Sequence, residues 1–292
     1  MRYILDNPRK FNAYIFGNSR ISAIDVDTID SLHCYNMWYP GGHPLEHFEN
    51  IEIMINHNII PDTILLGIDD IAFAVDPEVN RTQLMLMPYP KDSIQIIAHT
   101  KFLIKYLNPS VLSSIKTILF HKTDAQNLEL VKKLFYENGG RSRMKDEQSS
   151  YNWKEAKLIN DWQYNYGIEN AITDIQKIID LCNKNNIKLI IFTNPLYILT
   201  YQNAVQNGYI DFLTRLSHIT DYYNFSGIND ITINNDYYLE PSHYKFNIGD
   251  MMINTIFNGI NNEKLLAQGF GYHITKENRD TFLDLLHEQL TD

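Results

Sequence analysis

The chain has only two cysteines, Cys34 and Cys182, and it lacks both a long apolar run and an excess of basic residues. Two distant cysteines in no paired spacing do not predict a disulfide framework or a thiolate metal site; they are typical of small buried hydrophobic residues. The formal net charge of −10 argues against a nucleic-acid partner, because phosphate binding favours a basic surface.

Other absences narrow the class of protein further. No apolar stretch approaches the roughly 20 residues that a helix needs to cross a bilayer, and residues 1–6 lack the apolar core of a signal peptide. The sequence as printed therefore predicts a soluble, cytoplasmic protein without a membrane span. No Gly-x-Gly-x-x-Gly or Walker loop is present, so a nucleotide-binding function is weakly supported. No cluster of His, Asp and Glu predicts a metal, and no cofactor is expected.

What the chain does contain is an alternation of apolar runs with helical patterns over 292 residues. This rhythm is typical of parallel βαβ units in an α/β fold. We expect five core strands, at residues 13–17, 34–37, 63–68, 189–193 and 219–223. Helices are expected at residues 43–56, 157–183, 248–260 and 276–290, the last with Thr275 as its N-cap.

Residues 76–150 interrupt this alternation and predict a cap insertion over the edge of the sheet. The segment contains Pro88-Tyr89-Pro90 and two expected helices, near residues 99–107 and 109–120. Long insertions on a rigid scaffold commonly determine substrate choice. We therefore expect this segment to control what reaches the site below it.

Two short motifs at opposite ends of the chain bear the residues of an activated nucleophile. Phe16-Gly17-Asn18-Ser19-Arg20 follows a buried strand, and its serine can present a hydroxyl from a tight turn. Glu240-Pro241-Ser242-His243 places a carboxylate three residues before a histidine. Each motif alone is weak, since a serine there commonly caps a helix. Together they supply a serine, a histidine and a carboxylate that could meet at one edge of a parallel sheet.

In their order and strand context, the motifs resemble those of the SGNH/GDSL hydrolase superfamily. The resemblance is closest to its bacterial branch of polysaccharide O-acetyltransferase-like and teichoic-acid D-alanylation proteins. It covers most of the chain except the insertion. Besides the two motifs above, it rests on Tyr35-Asn36 with Pro40-Gly41-Gly42-His43-Pro44, Leu66-Gly67-Ile68-Asp69-Asp70, Asn224-Phe225-Ser226-Gly227, Gly269-Phe270-Gly271 and Thr275-Lys276-Glu277-Asn278.

The resemblance implies a single SGNH-hydrolase-like domain over residues 1–292, with residues 76–150 as its cap. The implied fold is a flavodoxin-like three-layer α/β/α sandwich with a central, mostly parallel five-stranded sheet and a helical insertion. The implied activity is that of a serine esterase or O-acyltransferase. Its implied partner is an acylated carbohydrate, such as a surface glycan or envelope polymer, or a small acyl ester. An envelope-facing location is implied if further chain precedes the printed start. The sequence does not indicate an oligomeric state.

The resemblance also implies roles for individual residues. Ser19 would attack a carbonyl as its proton passes to His243, and Glu240 would orient the imidazole. The backbone N–H groups of Ser19 and Gly41 would form the oxyanion hole, with Gly42 as the alternative because a double glycine cannot be aligned uniquely.

Two residues depart from the family pattern. Asp69 stands where the family has an asparagine that donates to the oxyanion, and an ionised carboxylate cannot donate. Asp69 could turn to a structural hydrogen bond, be protonated, or leave the task to another donor. Glu240 replaces an aspartate, and Asp236 of the same loop is a possible substitute. The Asp69 departure favours an alternative function, a catalytically inactive glycan-binding or assembly protein with the same fold.

Five further residues are candidates for substrate binding. Arg20 could anchor a carboxylate or phosphate of the substrate, or form a salt bridge at the rim of the site. His43 and Tyr244, with Trp38 and Tyr39, could stack on a sugar ring, although aromatic residues are frequent throughout this chain.

Overall fold

The computed structural model describes residues 1–77, 100, 149–158, 162–259 and 262–291. The helix predicted near residues 109–120 lies outside this set, and so does the helix predicted near residues 99–107 apart from Thr100. Of the predicted cap, only residues 76, 77, 100, 149 and 150 are described. Within the described residues the chain is an α/β protein built on a central sheet. The β-strands are β1 (Ala13–Phe16), β2 (Cys34–Asn36), β3 (Thr63–Ile68), β4 (Lys188–Thr193), β5 (Tyr222–Asn224), β6 (Tyr238–Glu240), β7 (His243–Tyr244) and β8 (Tyr272–Ile274).

The central sheet has six strands in the described part of the chain, in the order β2-β1-β3-β4-β5-β8. The first five are parallel, and β8 pairs antiparallel with β5 at the edge. The sheet thus has one strand more than the five predicted. Strand β8 was missed because it is only three residues long and follows a glycine-rich turn. Strands β6 and β7 form a separate two-stranded hairpin.

Nine α-helices surround the sheet within the described ranges. They are α1 (Arg2–Asp6), α2 (Pro44–Asn56), α3 (Ile71–Ala74), α4 (Ile168–Lys184), α5 (Ile198–Gln206), α6 (Tyr209–Ile219), α7 (Phe246–Asn258), α8 (Glu263–Ala267) and α9 (Arg279–Thr291). Helices α1, α3, α5, α6 and α8 were not predicted. The expected strand at residues 219–223 begins later, at Tyr222, because Ile219 completes α6.

Two helices begin later than the sequence predicts. Helix α4 starts at Ile168 instead of residue 157, because the chain before it is bound to the end of α3. There Asn165 N donates to Ala74 O at 2.8 Å and Gly167 N donates to Phe73 O at 3.1 Å. Helix α9 starts at Arg279, because Thr275 N donates to the Asn278 side chain at 2.8 Å and closes a turn first.

The hydrophobic core occupies both faces of the sheet. Side chains alternate along a strand, so neighbouring residues of β1 and β3 enter different clusters. One cluster joins the sheet to α2, α4, α5, α6 and α9, and the other joins it to α7 and the turn after β1. Strand β3 is buried along its whole length, as expected for a central parallel strand. This arrangement is compatible with three layers. The first cluster contains Tyr14, Phe16, Ile64 and Leu66; the second contains Ala13, Ile15 and Leu65.

The described helices include none that is long and apolar enough to span a membrane.

In the sheet order, β1 lies between β2 and β3, so the chain connections diverge at the β1–β3 pair. Open α/β sheets form a crevice outside the carboxyl ends of their strands at such a switch point. The turn that holds Ser19 lies at this position.

Candidate active site

Ser19 begins a 3₁₀ turn, Ser19–Ala23, that follows the carboxyl end of β1. The Asn18 side chain caps this turn by accepting from Arg20 N at 3.0 Å. Ser22 Oγ donates to Ser19 O at 2.6 Å and closes it from the other side. Ser19 is partly exposed, while its two neighbours Asn18 and Arg20 are buried. The turn therefore holds the partly exposed Ser19 on a backbone that is hydrogen-bonded on both sides.

His243 and Glu240 face each other across the β6–β7 hairpin. Glu240 Oε1 hydrogen-bonds His243 Nδ1, and Glu240 Oε2 accepts from Ser242 N at 2.7 Å. The loop between the strands is anchored from outside, since Thr200 Oγ1 of α5 donates to Pro241 O at 2.7 Å. The carboxylate is thus fixed by two donors of its own loop and oriented toward the imidazole.

The structure brings these two motifs together. His243 Nε2 lies 2.8 Å from Ser19 Oγ, although 224 positions separate the residues. In a neutral imidazole whose Nδ1–H donates to Glu240, Nε2 is the acceptor for the serine's hydrogen. The His243 and Glu240 side chains are about one-fifth exposed, at 20% and 21%. A solvent-reachable serine, histidine and carboxylate in this order can generate a nucleophilic alkoxide.

Glu240, and not Asp236, supplies the carboxylate of this arrangement. Burial tends to raise the pKa of Glu240, but hydrogen bonds and charge from His243, the Ser242 N–H and the Arg20 charge outweigh it and hold that pKa below its ordinary value. Glu240 is therefore ionised at neutral pH. Asp236 is exposed and lies in the 3₁₀ turn Asn235–Tyr237.

The Asp69 side chain is turned into the protein. It follows β3 directly, and its carboxylate accepts from Asn18 Nδ2 at 2.8 and 2.9 Å, Ile71 N at 3.0 Å and Asn194 Nδ2 at 2.9 Å. It also pairs with Arg20 Nη1 at 2.7 Å. Of the three possibilities left open by the sequence, this geometry matches a structural hydrogen-bonding role. Asp69 joins the ends of β1, β3 and β4.

Arg20 is 2% exposed. It therefore neither faces a substrate nor lies at the rim of the site, in contrast to the two placements that the sequence suggested. Its Nη1 pairs with Asp69 and, at 2.8 Å, with Asp70 Oδ1, while Nε donates to Ser242 O at 3.1 Å. Burial disfavours the guanidinium charge, but Asp69 and Asp70 outweigh it and raise the pKa of Arg20 above its ordinary value. The salt bridge is therefore internal, and burial raises the pKa of its partner Asp70 above the ordinary value although Arg20 opposes this shift.

His43 and Tyr244 are also interior residues, at 1% and 0% exposure. His43 Nδ1 caps α2 by accepting from Leu45 N at 3.3 Å, and its ring packs edge-on against Tyr166. The Tyr244 hydroxyl donates to Asn194 Oδ1 at 3.1 Å. The stacking on sugar predicted for these two side chains is therefore not available in this conformation, because each is committed to a protein partner.

The glycine block, Pro40-Gly41-Gly42-His43-Pro44, lies against the nucleophile turn, which comprises residues 17–23. A Cβ at Gly42 would come within 2.6 Å of Gly17 O and 2.9 Å of the His47 ring, so only glycine fits. Gly42 N already donates to Tyr39 O at 3.1 Å, which disfavours it as an oxyanion donor. Gly41 has a positive φ of 64°. The Ser19 N–H has no backbone hydrogen-bond partner among the described residues.

Sequence reasoning missed two residues of this site. Asn194 follows β4 directly and bridges Asp69 and Tyr244; Thr200 anchors the histidine loop. Asn194 could have been found, because polar residues just after parallel strands meet at one edge of the sheet. Thr200 could not, since α5 itself was not predicted.

No protein-family model matches the chain, and no curated protein sequence matches it significantly. Within the described residues, no group of three or more His, Cys, Asp or Glu side chains is arranged to hold a metal ion.

Proposed function

We propose that this protein is a serine esterase or O-acyltransferase of the SGNH type, working through an acyl-Ser19 intermediate. The observation that supports this most is the continuous hydrogen-bonded series from Ser19 Oγ through His243 to Glu240. The order β2-β1-β3-β4-β5 of the parallel strands supports a flavodoxin-like fold for the enzyme.

In the proposed reaction, Ser19 Oγ attacks the carbonyl carbon of an ester as its proton passes to His243 Nε2. The imidazolium is stabilised by ionised Glu240, and it returns the proton to the departing alcohol oxygen as the ester bond breaks. Water or a sugar hydroxyl then attacks acyl-Ser19, with His243 accepting its proton. Ser19 recovers the proton as the product leaves.

The negative oxygen of the tetrahedral intermediate requires donors in a fixed place. The Ser19 N–H is the first, and the glycine block supplies Gly41 as the second candidate. A single well-placed donor contributes about 3–4 kcal/mol of transition-state stabilisation. Asp69 makes no contribution as a donor, because its oxygens already accept from Asn18, Ile71 and Asn194.

The proposed substrate is an acylated carbohydrate, a surface glycan or related envelope polymer, or a small acyl ester. This part of the proposal rests on the motif resemblance. The choice between hydrolysis and transfer depends on whether water or a sugar hydroxyl reaches the acyl-enzyme.

A catalytically inactive glycan-binding or assembly protein is the alternative. Its support in the sequence was a carboxylate expected to face the oxyanion. Because the Asp69 carboxylate is turned into the protein, repulsion between it and the oxyanion no longer favours the inactive alternative.

Covalent labelling with a fluorophosphonate tests the proposal. We expect the wild-type protein to be labelled at Ser19, and Ser19→Ala and His243→Ala to remain unlabelled while folded. Ser217→Ala is the control, because Ser217 is a buried serine that hydrogen-bonds within α6. Labelling of Ser19→Ala at the wild-type rate would assign the nucleophile elsewhere, and an unlabelled, folded wild type would favour the inactive alternative.

A further inference from the structure

Arg20 connects the two halves of the candidate active site. It is the residue directly after Ser19, and the carbonyl it binds belongs to Ser242, the residue directly before His243. The hydrogen bond between the Ser19 and His243 side chains is therefore accompanied by a second bond between their direct neighbours, from Arg20 Nε to Ser242 O. Together the two bonds close a small ring that joins the serine turn to the histidine loop.

The guanidinium is itself held in place by the end of β3. Asp69 Oδ2 and Asp70 Oδ1 contact the same nitrogen, Nη1, at 2.7 and 2.8 Å. Asp70 Oδ2 also accepts from the Tyr164 hydroxyl at 2.9 Å. The guanidinium is thus fixed by two carboxylates, which leaves Nε directed at the histidine loop.

A guanidinium suits this task better than an ammonium group. Arg presents donors on several nitrogens in a rigid plane, so it can bind carboxylates with Nη1 and a carbonyl with Nε at the same time. A buried charge is costly unless it is fully paired, and a well-packed apolar residue commonly stabilises a core as well. The placement of this charge between Ser19 and the histidine loop is therefore better explained by positioning than by stability alone.

We propose that Arg20 is a positioning residue, which sets the His243 imidazole at hydrogen-bonding distance from Ser19 by holding the Ser242 carbonyl. Asp69 and Asp70 hold the guanidinium for this task. The proposal rests on the proposed function, in which Ser19 and His243 react together. It assigns Arg20 no contact with the substrate, in contrast to the anchoring role that the sequence suggested.

Arg20→Lys is the variant that tests this role, with Arg215→Lys as the control. The ammonium group of the variant keeps the positive charge beside the two carboxylates but cannot also reach Ser242 O in the same geometry. Arg215 pairs with Asp211 of α6 and with Glu169 of α4, and all three side chains are exposed. The measurements are kcat and KM for p-nitrophenyl acetate well below the melting temperature. A second readout is the downfield proton resonance of His243 Nδ1–H.

For Arg20→Lys we expect kcat to fall about 100-fold, as a displaced catalytic group does, with KM close to the wild-type value. The His243 resonance should shift or broaden in the folded variant, and Arg215→Lys should match wild type in both readouts. A folded Arg20→Lys with wild-type kcat and an unchanged resonance would overturn the proposal and leave Arg20 as a stabilising residue.

Two further results remain decisive. If Arg20→Lys does not fold, Asp70→Asn replaces it, because the Asp70 side chain contacts Arg20 and Tyr164 but not Ser19 or His243. A lower kcat with an altered His243 resonance then supports the positioning role, and unchanged values overturn it. If the wild-type protein has no esterase activity, the proposed function fails. The resonance alone then decides the role of Arg20.

Discussion

Ser19 Oγ and His243 Nε2 lie 2.8 Å apart at the carboxyl edge of the sheet, one on the turn after β1 and the other on the β6–β7 hairpin. Neither residue is unusual alone in a chain with ten histidines. Their contact is informative because Glu240 binds the far side of the imidazole and sets its tautomer.

Ser19→Ala should abolish release of p-nitrophenol from its acetate ester, lowering kcat by about three orders of magnitude or more. The melting temperature should stay close to wild type, because the lost hydroxyl is partly exposed. Ester hydrolysis and thermal unfolding measured on the same preparation test this. A variant that retains full activity would remove Ser19 as the nucleophile.

Glu240→Gln should lower kcat by about 10³- to 10⁴-fold, because an amide no longer fixes the imidazole tautomer. Asp236→Asn is the matched control in the same loop. It should change activity little, since Asp236 is exposed and surface substitutions typically have small effects. If the aspartate variant loses activity and the glutamate variant does not, the carboxylate must be reassigned.

The pH dependence of stability should report on Glu240. Its pKa is lower in the folded than in the unfolded chain. The ionised carboxylate therefore stabilises the protein above about pH 4.3, the ordinary Glu value, and this contribution is lost as the pH falls through the folded pKa. The melting-temperature difference between wild type and Glu240→Gln should shrink from pH 7 to pH 3. A difference that does not vary with pH would contradict the assigned charge.

Asp69→Asn should destabilise the protein, although it restores the asparagine that the SGNH pattern has at this position. The amide would remove one carboxylate from buried Arg20 and turn an NH₂ toward existing donors. Breaking a buried ion pair costs about 3–5 kcal/mol, which chemical denaturation can measure. An Asp69→Asn variant that is as stable as wild type and more active would mean that the side chain faces the oxyanion after all.

Gly42→Ala should impair activity through the nucleophile turn. The added methyl group would lie within 2.6 Å of Gly17 O, two residues before Ser19. We expect a lower rate of fluorophosphonate labelling together with a lower melting temperature. Unchanged labelling would show that the glycine block can accommodate the methyl group without moving Ser19.

The sequence predicted the elements whose signal is local. Strand β3 has the predicted bounds of residues 63–68, because a continuous apolar run is bounded by Pro61-Asp62 and Asp69-Asp70. The alternation of apolar runs with helical patterns also predicted a parallel sheet, in which the carboxyl ends of the strands lie at one edge. For this reason the sequence could place Ser19 and His243 close together.

The features that were missed depend on distant partners. Arg20 reads as a surface residue in the sequence, and its burial follows from a carboxylate 50 positions away and a carbonyl 222 positions away. The late start of α4 depends on backbone bonds to the end of α3. Tertiary contacts of this kind leave no periodic pattern in the chain, so they required the structure.

The most direct test of the central claim is the mass of the intact protein during turnover of p-nitrophenyl acetate, followed by peptide mapping. The account predicts a species heavier by one acetyl group, with the acetyl on Ser19, which accumulates in wild type and is absent from Ser19→Ala and His243→Ala. Turnover without any acyl-enzyme, or an acetyl group on another residue that persists in Ser19→Ala, would contradict it.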